Sequence, residues 1–356
     1  MPFVISSQPP APYNSGMKEL LQQLVRGVPL TAQQAESAFT DIMDGAVDPA
    51  QTAALLTLLA VREPTVEELA GAALVLRRHV VAIDAPENVI DTCGTGGVHS
   101  NIFNVSTTAA IVAASAGAPV AKHGNRSVTS KSGSSDVLKV LGVNIDTTPL
   151  QEARCLKEAN ICFAFAPRHH PAMKHVSSIR QGLGFATIFN LVGPLTNPAG
   201  ARRQLVGTRS PALGDKLLEV LVRLGAARVM VVCGRDPVEG TLCEIAIGGP
   251  THIAQFDGTT TTRYEFKPED VGLQTQPSAG LIIHSPEQSA KIVKAVLNGE
   301  KGAARDIVLL NAAAALWVGQ IADSLQSGVA LATEALDTGK ARETLAKLIK
   351  LSHDAG

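Results

Sequence analysis

The chain has 356 residues, 45% hydrophobic and 18% charged, a balance that suits a globular protein of two domains or one large one and excludes a disordered chain. Lys and Arg number 31 against 32 Asp and Glu, a net charge of −1, so no global positive field is available for nucleic acid or an acidic membrane. Aromatic residues are only 3%, which argues against a base-stacking platform.

The stretch 1–16 is rich in proline, lacks the basic start and long apolar run of a secretory signal, and reads as a flexible tail. Residues 17–86 read as a helical domain. Thr31 with Gln34 and Thr65 with Glu68 are capping-box patterns, Asp48-Pro49 starts a helix, and Gly27 and Gly45 stand where helices should stop. Leu55, Leu56, Leu58 and Leu59 need burial on more than one side. Part of 170–200 is expected to complete this domain.

Residues 87–356 read as an α/β domain with a mostly parallel central sheet. Short apolar runs at 89–90, 118–121, 161–166, 204–207 and 228–233 alternate with helical stretches, and closer-spaced runs in 242–268 suggest antiparallel edges. A helix is expected over 303–323. The most apolar run, 307–322, is too short to span a bilayer and contains Asn311 and Gln320, so no membrane partner is expected. The five cysteines (Cys93, Cys155, Cys162, Cys233, Cys243) are odd in number and form no CxxC pair, which suits free thiols in a reducing cytoplasm.

Five polar segments punctuate this α/β pattern. Asp91-Thr-Cys-Gly-Thr-Gly-Gly97 follows a strand, and its glycines allow close backbone approach and an anion nest. Asn104-Val-Ser-Thr107 opens an apolar helix, with Asn104 as its cap. The block Lys122–Asp136 follows a second strand and carries Lys122, Arg126 and Lys131 among hydroxyls and amides. Two such loops at strand ends point to a polyphosphate ligand. Pro167–Arg180 holds His169, His170 and His175, without the spacing or carboxylates of a zinc site, and ends on Arg180, whose planar fork suits a carboxylate. Gly234–Glu244 brings Asp236, Glu239 and Glu244 to another strand end, where magnesium could be held beside a phosphate.

Taken in order, GTGG, NVST, KHGNRSVTSKSGSSD, HHPAMKHVSSIR, IFNLVGPLTNPA and RDIVLLNAAAALWVG resemble the anthranilate phosphoribosyltransferase family from about residue 17 to the C-terminus. The resemblance implies a small helical domain joined to an α/β domain of the nucleoside phosphorylase and phosphoribosyltransferase kind. It implies transfer of phosphoribose from phosphoribosyl pyrophosphate (PRPP) to the amine of anthranilate, in tryptophan biosynthesis, by a homodimer joined through the helical domain. Carried over residue by residue, PRPP would meet Gly94, Gly96, Gly97, Asn104, Val105, Ser106, Thr107, Lys122, His123, Gly124, Asn125, Arg126, Ser127, Val128, Thr129, Ser130 and Ser134. Anthranilate would meet Gly94, Asn125, His170 and Arg180. Magnesium would be held by Ser106 and Glu244, and catalysis would rest on positioning and electrostatics, with no catalytic side chain.

Departures from the family cluster near the pyrophosphate and metal. Val98 and His99 stand for Asp-Gly, Ile102 for Thr, Ala186 for Arg, and Cys243-Glu244 for Asp-Glu. Cysteine is a poor magnesium ligand, so one ion is expected and a second only if Asp236 or Glu239 substitutes. A same-fold phosphorylase, a transferase with another aromatic acceptor, and a non-catalytic relative remain as alternative readings.

Overall fold

The computed structural model describes residues 16–97, 101–126 and 131–354. The tail through Ser15, the departures Val98 and His99, and the expected ligands Ser127, Val128, Thr129 and Ser130 lie outside the described residues.

The chain begins with α1 (Met17–Val25), α2 (Ala32–Met43), α3 (Pro49–Arg62) and α4 (Val66–Arg78). Their ends follow from the caps. Thr31 and Thr65 each accept from the backbone N–H three residues on, in reciprocal boxes with Gln34 and Glu68, and Asp48 accepts from Ala50 N ahead of Pro49. Glu68 does more than cap. Its carboxylate is fully buried, accepts from Leu30 N at 2.8 Å and Thr65 N at 2.8 Å, and pairs with Arg62, so one charge ties three helices together with its hydrogen bonds satisfied.

After α4 come β1 (Ile90–Gly94), α5 (Val105–Ser115), β2 (Val120–Gly124), α6 (Ser134–Leu141), α7 (Pro149–Ala159), β3 (Ile161–Phe165), α8 (Ala166–His169), α9 (Lys174–Leu183) and α10 (Ile188–Val192). Then follow β4 (Arg203–Gly207), α11 (Pro211–Arg223), β5 (Arg228–Asp236), β6 (Gly240–Leu242), β7 (Thr251–Phe256), β8 (Thr261–Phe266), α12 (Pro286–Leu297), α13 (Ala303–Val318), α14 (Leu325–Asp337) and α15 (Lys340–His353). The strands form one sheet in the order β3-β2-β1-β4-β5-β7-β8, with β6 beside β5. β1 to β5 run parallel, while β6, β7 and β8 add antiparallel pairs, as expected for 242–268.

Three boundaries differ from the sequence pattern. β1 and β2 continue through Gly94 and Gly124, so Asp91, Lys122 and His123 are strand residues. Polar residues there belong to ladders buried on both faces, which apolar periodicity does not register. The helix expected over 303–323 stops at Val318, where Gly319 caps it and Gln320 takes φ 58°.

Strand alternation sorts the core onto two faces. Leu205, Met230 and Val232 join α5, α13 and α15 in one apolar cluster, and α5 is buried almost all round, as its run of Ala, Ile and Val dictates. Val206, Val229 and Val231 join α11 and the N-terminal helices in the other. Val176 of α9 and Ile188, Phe189, Leu191 and Val192 of α10 belong to this second cluster, with Phe189 meeting Phe39 edge-on at 5.7 Å. The segment carrying Arg180 is therefore packed on the N-terminal helices. No helix among the described residues is long and apolar enough to cross a membrane.

Candidate active site

The carboxyl ends of β1, β2, β4 and β5 lie along one edge of the sheet, the edge where open α/β sheets take their ligands. The glycine segment turns there. Thr95 N donates to Gly207 O at 2.9 Å, and Gly96 and Gly97 take φ 61° and 78°, a left-handed backbone state that glycine adopts at no steric cost. The loop after β6 packs so closely that a Cβ on Gly207 would stand 1.8 Å from Cys243 O. Only glycine fits at that strand end.

Lys122 is the most constrained of the expected ligands. It is 3% exposed, and its Nζ donates to Thr92 O, to Thr92 Oγ1 at 3.5 Å and to Ser106 Oγ at 3.4 Å. All three acceptors are neutral, so the ammonium charge is stored beneath the glycine turn. Burial lowers its pKa, against Asp91, Cys93 and Glu244, which raise it. Asp91 is wholly buried, and burial raises its carboxyl. One of its oxygens accepts from His123 N at 3.1 Å, fixing the end of β2. The sequence pattern did not mark Asp91 and Thr92 as positioning groups for Lys122 and His123; their signal was their place just before Cys93-Gly94, as polar residues in an otherwise buried strand.

Glu244 is partly buried beside this group. Burial pushes its carboxyl up to about 7, against the pull of Lys122 and of hydrogen bonds from the Ser106 backbone and hydroxyl. Glu244 and Ser106 thus converge as hard oxygen donors, one carboxylate and one hydroxyl. This donor set fits one magnesium ion that completes its shell with phosphate and water. Cys243 does not join it. Its Sγ faces Gly96 O at 3.9 Å, and burial holds the thiol up at about 12, protonated and soft. Asp236 and Glu239 are engaged elsewhere through one oxygen each, and Asp236 Oδ2 is buried without a hydrogen-bond partner. Asp236 Oδ1 accepts from Val238 N, Glu239 N and Ser278 Oγ, and Glu239 accepts from Asn101 N at 2.8 Å. No group of three or more metal-ligating side chains occurs among the described residues.

Asn104 stands at the N-cap of α5, ahead of Val105, Ser106 and Thr107, yet its side chain caps nothing. It accepts from Ser132 Oγ and Ser289 Oγ, both at 2.7 Å, and donates to Ser132 O at 3.0 Å. Asn104 therefore anchors the returning limb of the basic block to α5 and α12. Thr107 is buried with its hydroxyl unpartnered, as is Ser135 at the start of α6. At the outer end of β2, Gly124 backs onto Ser134 and Phe163. Asn125 and Arg126 are exposed, with Arg126 over the Phe165 ring at 5.8 Å.

The three histidines separate. His169 is buried against Glu152, with Nε2 to Oε2 at 3.0 Å; burial opposes its charge, but Glu152 and the Val81 carbonyl prevail and raise its pKa. That pair ties α8 to α7. His175 is exposed on α9, against Gly45. His170 turns toward the site, its Nε2 3.3 Å from His123 Nε2. Burial and the neighbouring rings hold His123 down at about 3 and His170 at about 4, so both are neutral, one donating to the other. Arg180 lies farther along α9, half-open, over the Phe189 ring at 5.5 Å and donating to Asn190 Oδ1 at 3.3 Å.

The described residues thus form a phosphate-suited pole around Gly96, Ser106, Lys122 and Glu244, and a second pole with Arg180 on the bundle side. The His123–His170 pair links β2 to the segment that leads there.

Comparison with known proteins fits this geometry. The helical bundle domain of the Glycosyl transferase family matches residues 18–80, and the a/b domain of the same family matches residues 86–342. The chain is 47% identical to an anthranilate phosphoribosyltransferase of Rubrobacter xylanophilus over 94% of this chain and 97% of that one. It is 46% identical to one of Symbiobacterium thermophilum over 95% and 98%. Among solved structures, the anthranilate phosphoribosyltransferase of Thermus thermophilus superposes with a TM-score of 0.87 at 37% identity, over 94% of this chain and 99% of that one. The Saccharomyces cerevisiae enzyme, solved in complex with PRPP and Mg, gives 0.83 at 27% identity over 94% and 97%.

Proposed function

The chain belongs to the anthranilate phosphoribosyltransferase family, and from that premise we infer how its own residues carry the transfer of phosphoribose from PRPP to the amine of anthranilate, with release of pyrophosphate. The observation that carries the reading is the buried, neutrally bonded Lys122 under an open glycine turn. A cation kept out of water without a carboxylate in its hydrogen-bond shell is costly unless it serves an anion.

Pyrophosphate leaves C1 of the ribose while the ring gains oxocarbenium character, and negative charge grows on the leaving group. Lys122 and backbone N–H groups of the glycine turn at Gly96 and Gly97 oppose that charge. Asn125, Arg126 and Ser134 would meet the remaining phosphate oxygens; the expected ligands Ser127 to Ser130 lie outside the described residues. Glu244 and Ser106 would hold one magnesium ion, which supplies further neutralisation of the phosphate oxygens when bound. The absence of a second oxygen ligand at Cys243 supports a single protein-held ion.

Arg180 takes the anthranilate carboxylate. Its present bond to Asn190 is long and neutral, so a charged, bidentate partner displaces it readily. The neutral His170 and Asn125 border the acceptor. An arylamine of low basicity attacks without a strong general base, so catalysis is positioning and electrostatics.

Residues 17–86, completed by part of 170–200, form the helical domain in this reading, and 87–356 the PRPP-binding domain. Val25, Val28 and Val61 are 72%, 50% and 82% exposed on the bundle, which supports a homodimer through it. The free cysteines support a cytoplasmic location. The test is an assay of the purified protein with anthranilate, PRPP and magnesium. Anthranilate should disappear only when all three are present; nucleoside phosphorolysis instead, or no turnover at high magnesium, would overturn the reading.

A further inference from the structure

Gly94 and Gly207 are register partners at the ends of β1 and β4, so the two chains leave the sheet side by side. Two residues beyond Gly207 comes Arg209, and a Cβ placed on Gly97 would stand 3.9 Å from its Nη1. A guanidinium thus borders the glycine turn at Gly97. Its other nitrogen, Nη2, donates to Glu63 Oε1 at 3.1 Å. Glu63 follows α3 in the helical bundle, is 60% exposed, and is held at φ 59°, a backbone state that side chains other than Asn, Asp and Gly seldom adopt. Lys216 of α11 lies 3.9 Å from the other Glu63 oxygen and donates to Pro64 O.

We propose that Arg209 is a shared cation: it pairs with Glu63 while the site is empty and turns onto the pyrophosphate of PRPP when that ligand occupies the glycine turn. This rests on the function proposed above and adds a phosphate-binding residue to it.

Three features carry the argument. The first is supply and demand of charge. The described site holds one buried ammonium, the exposed Arg126 at the end of β2 and a donor set for one magnesium ion, while a pyrophosphate brings several negative charges to a glycine turn whose N–H groups carry only partial ones. Arg209 adds a cation beside Gly97 from the β4 side. The second is the asymmetry of the exchange. A half-exposed Arg–Glu pair holds its partners loosely in water, whereas a guanidinium–phosphate pair is charge-assisted and bidentate. The third is that Glu63 is not stranded when Arg209 leaves, because Lys216 stays beside it.

Glu63 and the polyanion therefore compete for one guanidinium, and the sign of the variants follows. PRPP is titrated calorimetrically, at fixed magnesium and without acceptor, into the wild type, Arg209→Gln and Glu63→Gln. Arg209→Gln should weaken PRPP about tenfold, and Arg209→Lys should restore part of that. Glu63→Gln should tighten PRPP by about two- to fivefold. Weakening in both variants would show the pair to be a bond between helices and sheet alone, and unchanged affinity in Arg209→Gln would place the guanidinium outside the phosphate site; either result overturns the proposal. A wild type that binds no PRPP would instead defeat the functional reading beneath it.

Discussion

The two poles of the site are built in opposite ways. At the proposed phosphate pole Lys122 and Asp91 are buried and Glu244 partly so, and each is held by strand backbone or its immediate neighbours: Lys122 on Thr92, Asp91 on the His123 amide, Glu244 beside Ser106. At the proposed acceptor pole Arg180 sits on a helix surface, over one ring and on one long hydrogen bond. Buried, fixed charge suits a leaving group whose charge grows during the reaction, because preorganised dipoles need no rearrangement then. A loosely held fork suits the binding of a small carboxylate that must enter and leave. The difference predicts which step each pole controls.

The largest effect should come from Lys122→Met. It removes the cation while leaving Asp91 and Glu244 in place, so turnover should fall by about a thousandfold or more, measured by steady-state rates on protein whose circular dichroism matches wild type. Retained turnover would show the phosphate pole to lie elsewhere. Glu244→Gln should follow, lowering kcat about a hundredfold and raising the magnesium concentration for half-maximal rate; a magnesium titration reads both. Cys243→Asp sharpens the same point, since a new oxygen ligand should lower that concentration.

The acceptor pole should respond differently. Arg180→Ala should raise the anthranilate KM by about ten- to fiftyfold, through loss of one charge-assisted fork, and leave the PRPP KM within about twofold. Initial rates at varied concentrations of each substrate separate the two.

The smallest effect concerns pH. His123 and His170, held at about 3 and about 4, lie below the ordinary value of about 6.5. The unfolded chain therefore binds protons that the folded one refuses between those values. Stability is fully present above about 6.5 and is lost as pH falls toward 4, by about 1 kcal/mol per histidine between pH 6.5 and 5.5. Urea midpoints at pH 7.5 and 5.5 should show this loss in the wild type and a smaller one in His170→Gln. His169, with its pKa raised, works in the opposite direction and is common to both proteins.

Much of the frame was legible in the sequence because local chemistry decides it. Thr31, Thr65, Asp48 and Pro49 start helices through caps that need only a few neighbouring residues. The alternation of apolar runs with helices pointed to the parallel strands and to the antiparallel β7 and β8. The site was less legible where a residue's role depends on what folds against it. Lys122 reads as the first residue of a polar loop, yet its strand continues and its ammonium is buried under Thr92. Asn104 reads as a cap, yet Ser132 and Ser289, 28 and 185 residues away, occupy its amide. Asp236 and Glu239 read as spare metal ligands, yet a β-turn and the Asn101 amide already hold them. Such long-range partners leave no periodic signal. Arg209 was missed for the same reason, since only the β1–β4 register brings it to Gly97.

The separation of the two poles is tested most directly by calorimetric titration of PRPP, with magnesium and without anthranilate, into the wild type, Lys122→Met and Arg180→Ala. The account predicts that Arg180→Ala binds PRPP as the wild type does, while Lys122→Met binds it at least about tenfold more weakly. Equal weakening in the two variants, or unchanged binding in Lys122→Met, would contradict it.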